Sequence, residues 1–297
     1  MNVHSNRFGQ IASYYFKAVL NILKVHRSLE EDILIFANRR GGSTLLMEMI
    51  YSQPNVDYVN EPFALHRYNP FWTKISKSPS NPLTSIKDEE AEALLKQYFV
   101  GVLKGKFKGY MGWNPLDGNY SLFVRRLVVK ICNAIPLIDW FNKNFNVKIL
   151  YLVRHPIPTA LSIMERGWPN TVLIFLRDEN FKGKYLTPSL VRFSLDILKY
   201  GTELERLVLE WCLNNLVPLR VFKKRNWLSL SYEELILRPK QMVKLICNYL
   251  NLPDENKMLK VLMKPSKTTS KTSKHEILSR GPTALLGKWK HKISENL

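Results

Sequence analysis

Cysteine is scarce in this chain: Cys132, Cys212 and Cys247 are the only 3 among 297 residues. An odd number so widely spaced argues against a disulfide framework, and the apolar segments around them lead us to expect reduced, buried thiols. Histidine is sparse as well, at 6, and no Cys or His cluster has the short spacing of a metal site. Long apolar runs are missing too. The one early hydrophobic segment, Ile11 to Val25, is interrupted by Lys17 and falls short of the roughly 20 residues that span a bilayer. Tyr15, Ala18, Val19, Ile22 and Leu23 instead mark one face of a helix. Residues 1–31 are therefore expected to form an N-terminal amphipathic segment packed on the domain, with peripheral membrane contact through its basic residues as a second use. No small-residue cleavage site follows it, which argues against a secretory signal.

Negative charge is the other shortage. Asp and Glu total 25 against 44 Lys and Arg, a net charge of +19, so an anionic partner or surface is expected. Nucleic acid, acidic lipid and a multiply phosphorylated cofactor would each suit that field, and local motifs have to choose among them. Hydrophobic residues make up 45%, and a chain of this length can bury one α/β core without a second domain.

The most informative stretch runs from Ile33 to Ile50. Ile33, Leu34, Ile35 and Phe36 form a short apolar run of the kind buried in a parallel sheet, and Leu45, Leu46, Met49 and Ile50 recur at helical spacing. Between them lie Asn38, Arg39, Arg40, Gly41, Gly42, Ser43 and Thr44. Two glycines allow a tight turn with inward amides, two hydroxyls add donors, and a helix start contributes partial positive charge. This is an anion cradle. It differs from the nucleoside-triphosphatase loop, which places Gly-Lys-Ser/Thr after four spacer residues; here the cation comes first.

A second stretch has the same form. Ile149 to Val153 reads as a buried strand, Arg154 closes it, Pro156 and Pro158 open a helix, and Ser162 follows eight residues after Arg154. Together the two stretches resemble sulfotransferases that use 3′-phosphoadenosine 5′-phosphosulfate (PAPS). Residues Arg40 to Leu45 resemble the 5′-phosphosulfate loop, with Gly41 where serine is usual, and Arg154 with Ser162 resembles the pair that grips the 3′-phosphate. Arg39 joins the cofactor-binding set by its place in the loop. Further pieces follow in the family order: Tyr232-Glu233-Glu234-Leu235, whose tyrosine lies near the nucleotide, then Arg280-Gly281 and Gly287-Lys288-Trp289-Lys290. In the family that last segment closes over the cofactor, so residues 264–297 are expected to cover it, with Arg280 as a second cation at the 3′-phosphate and Trp289 holding the lid. Composition alone reads Lys264 to Lys274 as a polar, solvated linker.

The resemblance implies a single α/β domain over residues 1–297, built on a central, mostly parallel sheet flanked by helices, as in nucleotide kinases. It also implies in-line transfer of a sulfuryl group to a hydroxyl, leaving 3′-phosphoadenosine 5′-phosphate (PAP), with no metal required. Cytosolic members read Lys-x-His on one strand; this chain reads Lys130-Ile131-Cys132, so the base role passes to Glu61 in Asn60-Glu61-Pro62-Phe63, with His66 next in line. Arg40 and Lys130 are expected to stabilise charge on the bridge oxygen. The same features lean towards a carbohydrate, glycolipid or related hydroxyl acceptor, and nucleic acid is set aside as a partner. A first strand near Asp32 leads us to expect a cytoplasmic enzyme. Two other classes stay open at this point: a kinase of a small molecule, which would need magnesium ligands not found here, and a non-catalytic polyanion-binding protein.

Overall fold

In the computed structural model, residues 24–26, 30–64, 82–105, 119–220 and 226–290 are described. The N-terminal amphipathic segment through Leu23, His66 and the aromatic residues Tyr68, Phe71, Trp72 and Trp113 lie outside them. The first half of the chain gives β1 (Val25–His26), β2 (Asp32–Ala37), α1 (Ser43–Tyr51), β3 (Val56–Asn60), α2 (Glu89–Leu103), β4 (Phe123–Val124), β5 (Arg126–Ile131), α3 (Ile138–Asn144) and β6 (Val147–Val153). Five helices follow: α4 (Pro156–Met164), α5 (Val172–Arg177), α6 (Glu179–Tyr185), α7 (Pro188–Tyr200) and α8 (Glu203–Arg220). The last strand and helices are β7 (Leu228–Ser231), α9 (Tyr232–Leu237), α10 (Pro239–Leu250), α11 (Glu255–Leu262) and α12 (Lys271–Arg280).

Five strands form the main sheet in the order β3-β5-β2-β6-β7, and every pairing between them is parallel. β2 lies in the middle and is buried along its whole length. Side chains alternate across it as strand geometry requires. Leu34 and Phe36 join Val129, Ile131, Ile149 and Tyr151 in a core covered by α2, α3 and α8. Ile33 and Ile35 join Val128, Leu150 and Leu152 in a second core covered by α1, α10 and α11. The expected helix-flanked parallel sheet is thus borne out. Since all five strands run one way, their C-terminal ends share one edge, and Asn38, Glu61, Cys132 and Arg154 all follow directly on strands at that edge. That is the edge where open parallel sheets handle ligands.

Two expectations, the burial of Cys212 and the solvated linker over residues 264–274, are corrected. Helix α8 buries Leu207, Leu209, Leu213 and Val217 together with Glu210, Asn214 and Asn215. Polar side chains sit on the inner face because each finds a partner there. Cys212 is exposed, while Cys132 and Cys247 are buried thiols. Residues 264–274 do not form a free linker: Ser270 caps α12 by accepting from the Ser273 amide, and the Thr268 carbonyl accepts from Arg40 and Arg166.

At the opposite edge, burial raises the Asp32 carboxyl to about 6, against the opposing effects of the Leu127 amide and of Arg126. The Leu127 N–H donates to Asp32 Oδ1 at 2.7 Å. Between the unfolded value of about 3.9 and the folded one, the native state keeps a proton that the unfolded chain has released. Stability therefore falls as pH rises through that window. Asp32→Asn should abolish the fall: the unfolding free energy of wild type relative to the variant should drop by about 2–3 kcal/mol between about pH 4 and 6.5 in urea titrations. A pH-independent difference would refute the assignment.

Candidate active site

The loop after β2 is shaped from within. Asn38 is buried, and its side-chain oxygen accepts from Asn215 Nδ2 at 2.6 Å, while Asn215 Oδ1 accepts from the Tyr151 hydroxyl at 2.6 Å. A hydrogen-bonded chain thus runs from β6 through α8 to the end of β2. The Gly41 amide donates to the Asn38 carbonyl at 2.9 Å, closing the turn. A Cβ at Gly41 would lie 2.8 Å from that carbonyl oxygen, so this turn leaves no room for the serine that the family commonly has. Gly42 adopts φ 94° and caps α1, and a Cβ on it would meet the Tyr232 ring at 2.3 Å. No side chain among the described residues caps α1, so its first amides remain available to a ligand at Gly42, Ser43, Thr44 and Leu45, all of which line the cavity described below.

A carboxylate and an ammonium meet beside this cradle. Glu61 follows β3 with φ 55°, and its own amide donates to the Lys130 carbonyl at 3.0 Å. Glu61 Oε1 lies 3.3 Å from Lys130 Nζ, with both side chains largely buried, and Oε2 accepts from the Cys132 amide at 3.0 Å. Lys130 Nζ also donates to Thr44 Oγ1 at 3.2 Å, tying the pair to the cradle. Burial is the largest single effect and works against the Lys130 charge, but Glu61, Cys132 and Glu48 together hold the ammonium above its ordinary value. Cys132 is different in kind. Burial, reinforced by Glu61, pushes its thiol well up, and its Sγ rests 3.4 Å from Ser43 Oγ, so it is a packed neutral group and no nucleophile.

Guanidinium groups gather on the other side of the loop. Arg40, at φ 63°, turns its side chain so that Nε donates to Ser162 Oγ at 3.0 Å and Nη1 to the Thr268 carbonyl at 3.2 Å. Arg154 Nη1 donates to the Arg40 carbonyl at 3.0 Å, and its guanidinium lies over the Tyr232 ring, 4.8 Å from the centroid. Burial, then Arg166, then Arg154 hold the Arg40 guanidinium below its ordinary value. Among the described residues none of these three arginines has an ion-pair partner. The hydrogen bonds of Arg40 thus join it to Ser162 and Arg154, and it lines the same cavity as Lys130.

Arg39 also lines the cavity described below, but its guanidinium is paired. Its Nη2 lies 2.6 Å from Glu210 Oε1 and 3.3 Å from the Pro169 carbonyl, while Glu210 Oε2 accepts from the Thr171 amide at 2.6 Å. Its charge is thus balanced by a buried carboxylate from α8. Arg280 is exposed at the end of α12, and Gly281 follows at φ 78° as the helix ends. Neither lines the cavity. Trp289 does, with its ring stacked on His155 at 5.0 Å between centroids. The residues that sequence reasoning missed are Asn215, Glu210 and Thr268, of which the last contributes only a carbonyl. Helical periodicity marked none of them, because it scores apolar positions.

These groups share one cavity of about 830 Å³, lined by the cradle, Glu61, Lys130, Arg154, Ser162 and Tyr232 among others. A parallel sheet carrying, at one edge, an amide cradle, a carboxylate–ammonium pair and a separate guanidinium cluster defines a group-transfer enzyme for an anionic cofactor. The family model described as "Sulfotransferase domain" matches residues 30–297, and the chain belongs to that family. The PAPS-dependent sulfotransferase resemblance of its motifs is thereby borne out. No curated protein matches the chain. Similar solved structures include the sulfotransferase domain from the curacin biosynthetic pathway, at 17% identity over 89% of this chain and 92% of that one, TM-score 0.48. The sulfotransferase domain of the Synechococcus PCC 7002 olefin synthase shares 16% over 90% and 91%, TM-score 0.46. Mouse sulfotransferase SULT7A1 complexed with PAP shares 16% over 94% and 86%, TM-score 0.39. Among the described residues no helix is long and apolar enough to cross a membrane.

Placing a side chain at either glycine should cost stability. Gly41→Ser, through the contact with the Asn38 carbonyl, and Gly42→Ala, through its positive φ and the Tyr232 ring, are each expected to lower unfolding free energy by about 1–3 kcal/mol. Denaturant midpoints would read the loss, and an unchanged midpoint for Gly41→Ser would mean that the turn relaxes freely.

Proposed function

We propose that this protein transfers a sulfuryl group from PAPS to a hydroxyl of a carbohydrate, glycolipid or related small molecule, with Glu61 as general base. One observation carries the reading. Two anion-binding groups, the Gly42–Thr44 cradle and the Arg40–Ser162–Arg154 cluster, line the same cavity as the Glu61–Lys130 pair. A ligand with two separated anionic ends fits that division, and the unpaired guanidinium groups among the described residues suit a phosphate. The cavity volume lies high in the usual range of about 300–1,000 Å³ for small-molecule sites, which leaves room for an acceptor beside a nucleotide.

PAPS supplies an activated sulfuryl group. The amides and hydroxyls of Gly42 to Thr44 would hold its phosphosulfate end, and Arg154 and Ser162, joined by Arg40, its 3′-phosphate. Tyr232 fixes the Arg154 guanidinium from its open face. Glu61 accepts the hydroxyl proton of the acceptor on a carboxylate oxygen, and the Cys132 amide keeps that carboxylate aimed. Lys130 lends positive charge both to Glu61 and, through Thr44, to the cradle. The walls beside the base support that acceptor class. Asn60 and Asn133 line the cavity there, and Asn60 Oδ1 is buried without a hydrogen-bond partner among the described residues. Such amides suit a ligand rich in hydroxyls.

Thermal unfolding with PAP, ADP and ATP–magnesium tests the cofactor. A ligand at about 100 times its Kd adds roughly 2.7 kcal/mol to the native state, so PAP should raise Tm and the other nucleotides much less. Arg154→Ala should lose the PAP shift; preference for ATP–magnesium would overturn the reading. Glu61→Gln should cut kcat by about 10²- to 10⁴-fold while the PAP shift persists. Turnover at the wild-type rate would remove Glu61 as base.

A further inference from the structure

Arg280 is the residue that sequence alone nominates as a second cation at the 3′-phosphate; it and Arg166 are both exposed and outside the cavity lining, but only Arg166 shares a hydrogen-bond acceptor with Arg40. A different arginine stands closer to the motif pair. Arg166 follows Ser162 by four residues, one helical turn on, and its amide donates to the Ile163 carbonyl at 3.0 Å as α4 tightens and ends. Its Nη2 donates to the Thr268 carbonyl at 3.3 Å. The same oxygen accepts from Arg40 Nη1 at 3.2 Å, and Arg40 Nε donates to Ser162 Oγ at 3.0 Å.

Two guanidinium groups therefore converge on a single carbonyl oxygen, directly beside the serine of the phosphate pair. Cations repel at such separation, and Arg166 is the foremost charge bearing on Arg40. A carbonyl carries only partial negative charge and compensates weakly for two guanidinium groups. Among the described residues no carboxylate pairs with either. An anion with several oxygens, placed against Ser162, would satisfy both arginines where the one carbonyl now divides itself between them.

We propose that Arg166, and not Arg280, is the additional cofactor-binding cation, acting with Arg40, Arg154 and Ser162 on the 3′-phosphate. The proposal rests on the PAPS reading above. It makes Arg166 a selectivity residue, since its partner is the group that distinguishes PAP from adenosine 5′-phosphate. Arg166 is solvent-exposed, so its contribution is moderated by screening.

Calorimetric titration of the full chain at low salt with PAP and with adenosine 5′-phosphate tests this. Wild type should favour PAP; equal affinity for the two would sink the cofactor reading itself and this proposal with it. Arg166→Ala should weaken PAP by roughly three- to tenfold and leave adenosine 5′-phosphate unchanged, with the loss shrinking as salt is added. Arg280→Ala should leave both affinities within about twofold. The reverse pattern, PAP weakened by Arg280→Ala and untouched by Arg166→Ala, would overturn the assignment, as would an equal loss of both nucleotides in the Arg166 variant. Arg166→Gln, which keeps the stem, serves if the alanine variant does not fold.

Discussion

Repulsion among like charges governs the working edge of this protein. Arg40, Arg154 and Arg166 stand near one another with no carboxylate partner among the described residues, and a protein that gathers cations in this way must hold them by other means. It does so with neutral acceptors. The Tyr232 ring receives Arg154 on its face, the Arg40 carbonyl receives a guanidinium N–H, and Ser162 and Thr268 share Arg40. None of these cancels the charge, so the positive field stays directed into the cavity, where an anionic ligand is worth more than it would be in water. The loop that carries Arg40 has to be stiff to withstand that repulsion. The buried chain Tyr151–Asn215–Asn38 supplies the stiffness.

Two carboxylates near this edge are committed to other partners. Glu210 takes up Arg39 and the Thr171 amide, so the first arginine of the loop becomes an anchor to α8. Glu61 sits on the opposite side of the cradle, joined to Lys130. The parallel sheet makes this separation simple, because β3 and β5 bring their ends out beside β2 on one flank while β6 brings Arg154 out on the other.

Much of this was legible in the sequence, for physical reasons. Strands β2 and β6 carry largely buried apolar runs, Ile33 to Ala37 and Ile149 to Val153, and a polar residue follows each, Asn38 in one case and Arg154 in the other. The cradle, the Arg154–Ser162 pair and the Glu61–Lys130 neighbours follow from those ends. What could not be read was the polar inner face of α8. Glu210 and Asn215 belong to the core only because Arg39 and Asn38, 171 and 177 residues away, are brought to them. Thr268 escaped for another reason: its contribution is a main-chain oxygen, which residue types do not encode, and the surrounding composition looks like linker.

The Glu61–Lys130 pair carries a consequence for timing. In the resting protein each charge masks the other, so the cradle feels only part of the ammonium. On the proposed chemistry Glu61 becomes neutral at the moment it takes a proton, and Lys130, still bonded to Thr44, is left with its full charge facing the cradle. One proton movement thus switches on an electrostatic source elsewhere in the site without any atom of the fold changing place. The protein would hold its strongest anion stabilisation in reserve until the nucleophile has been made, and an idle cofactor would meet a weaker field than a reacting one.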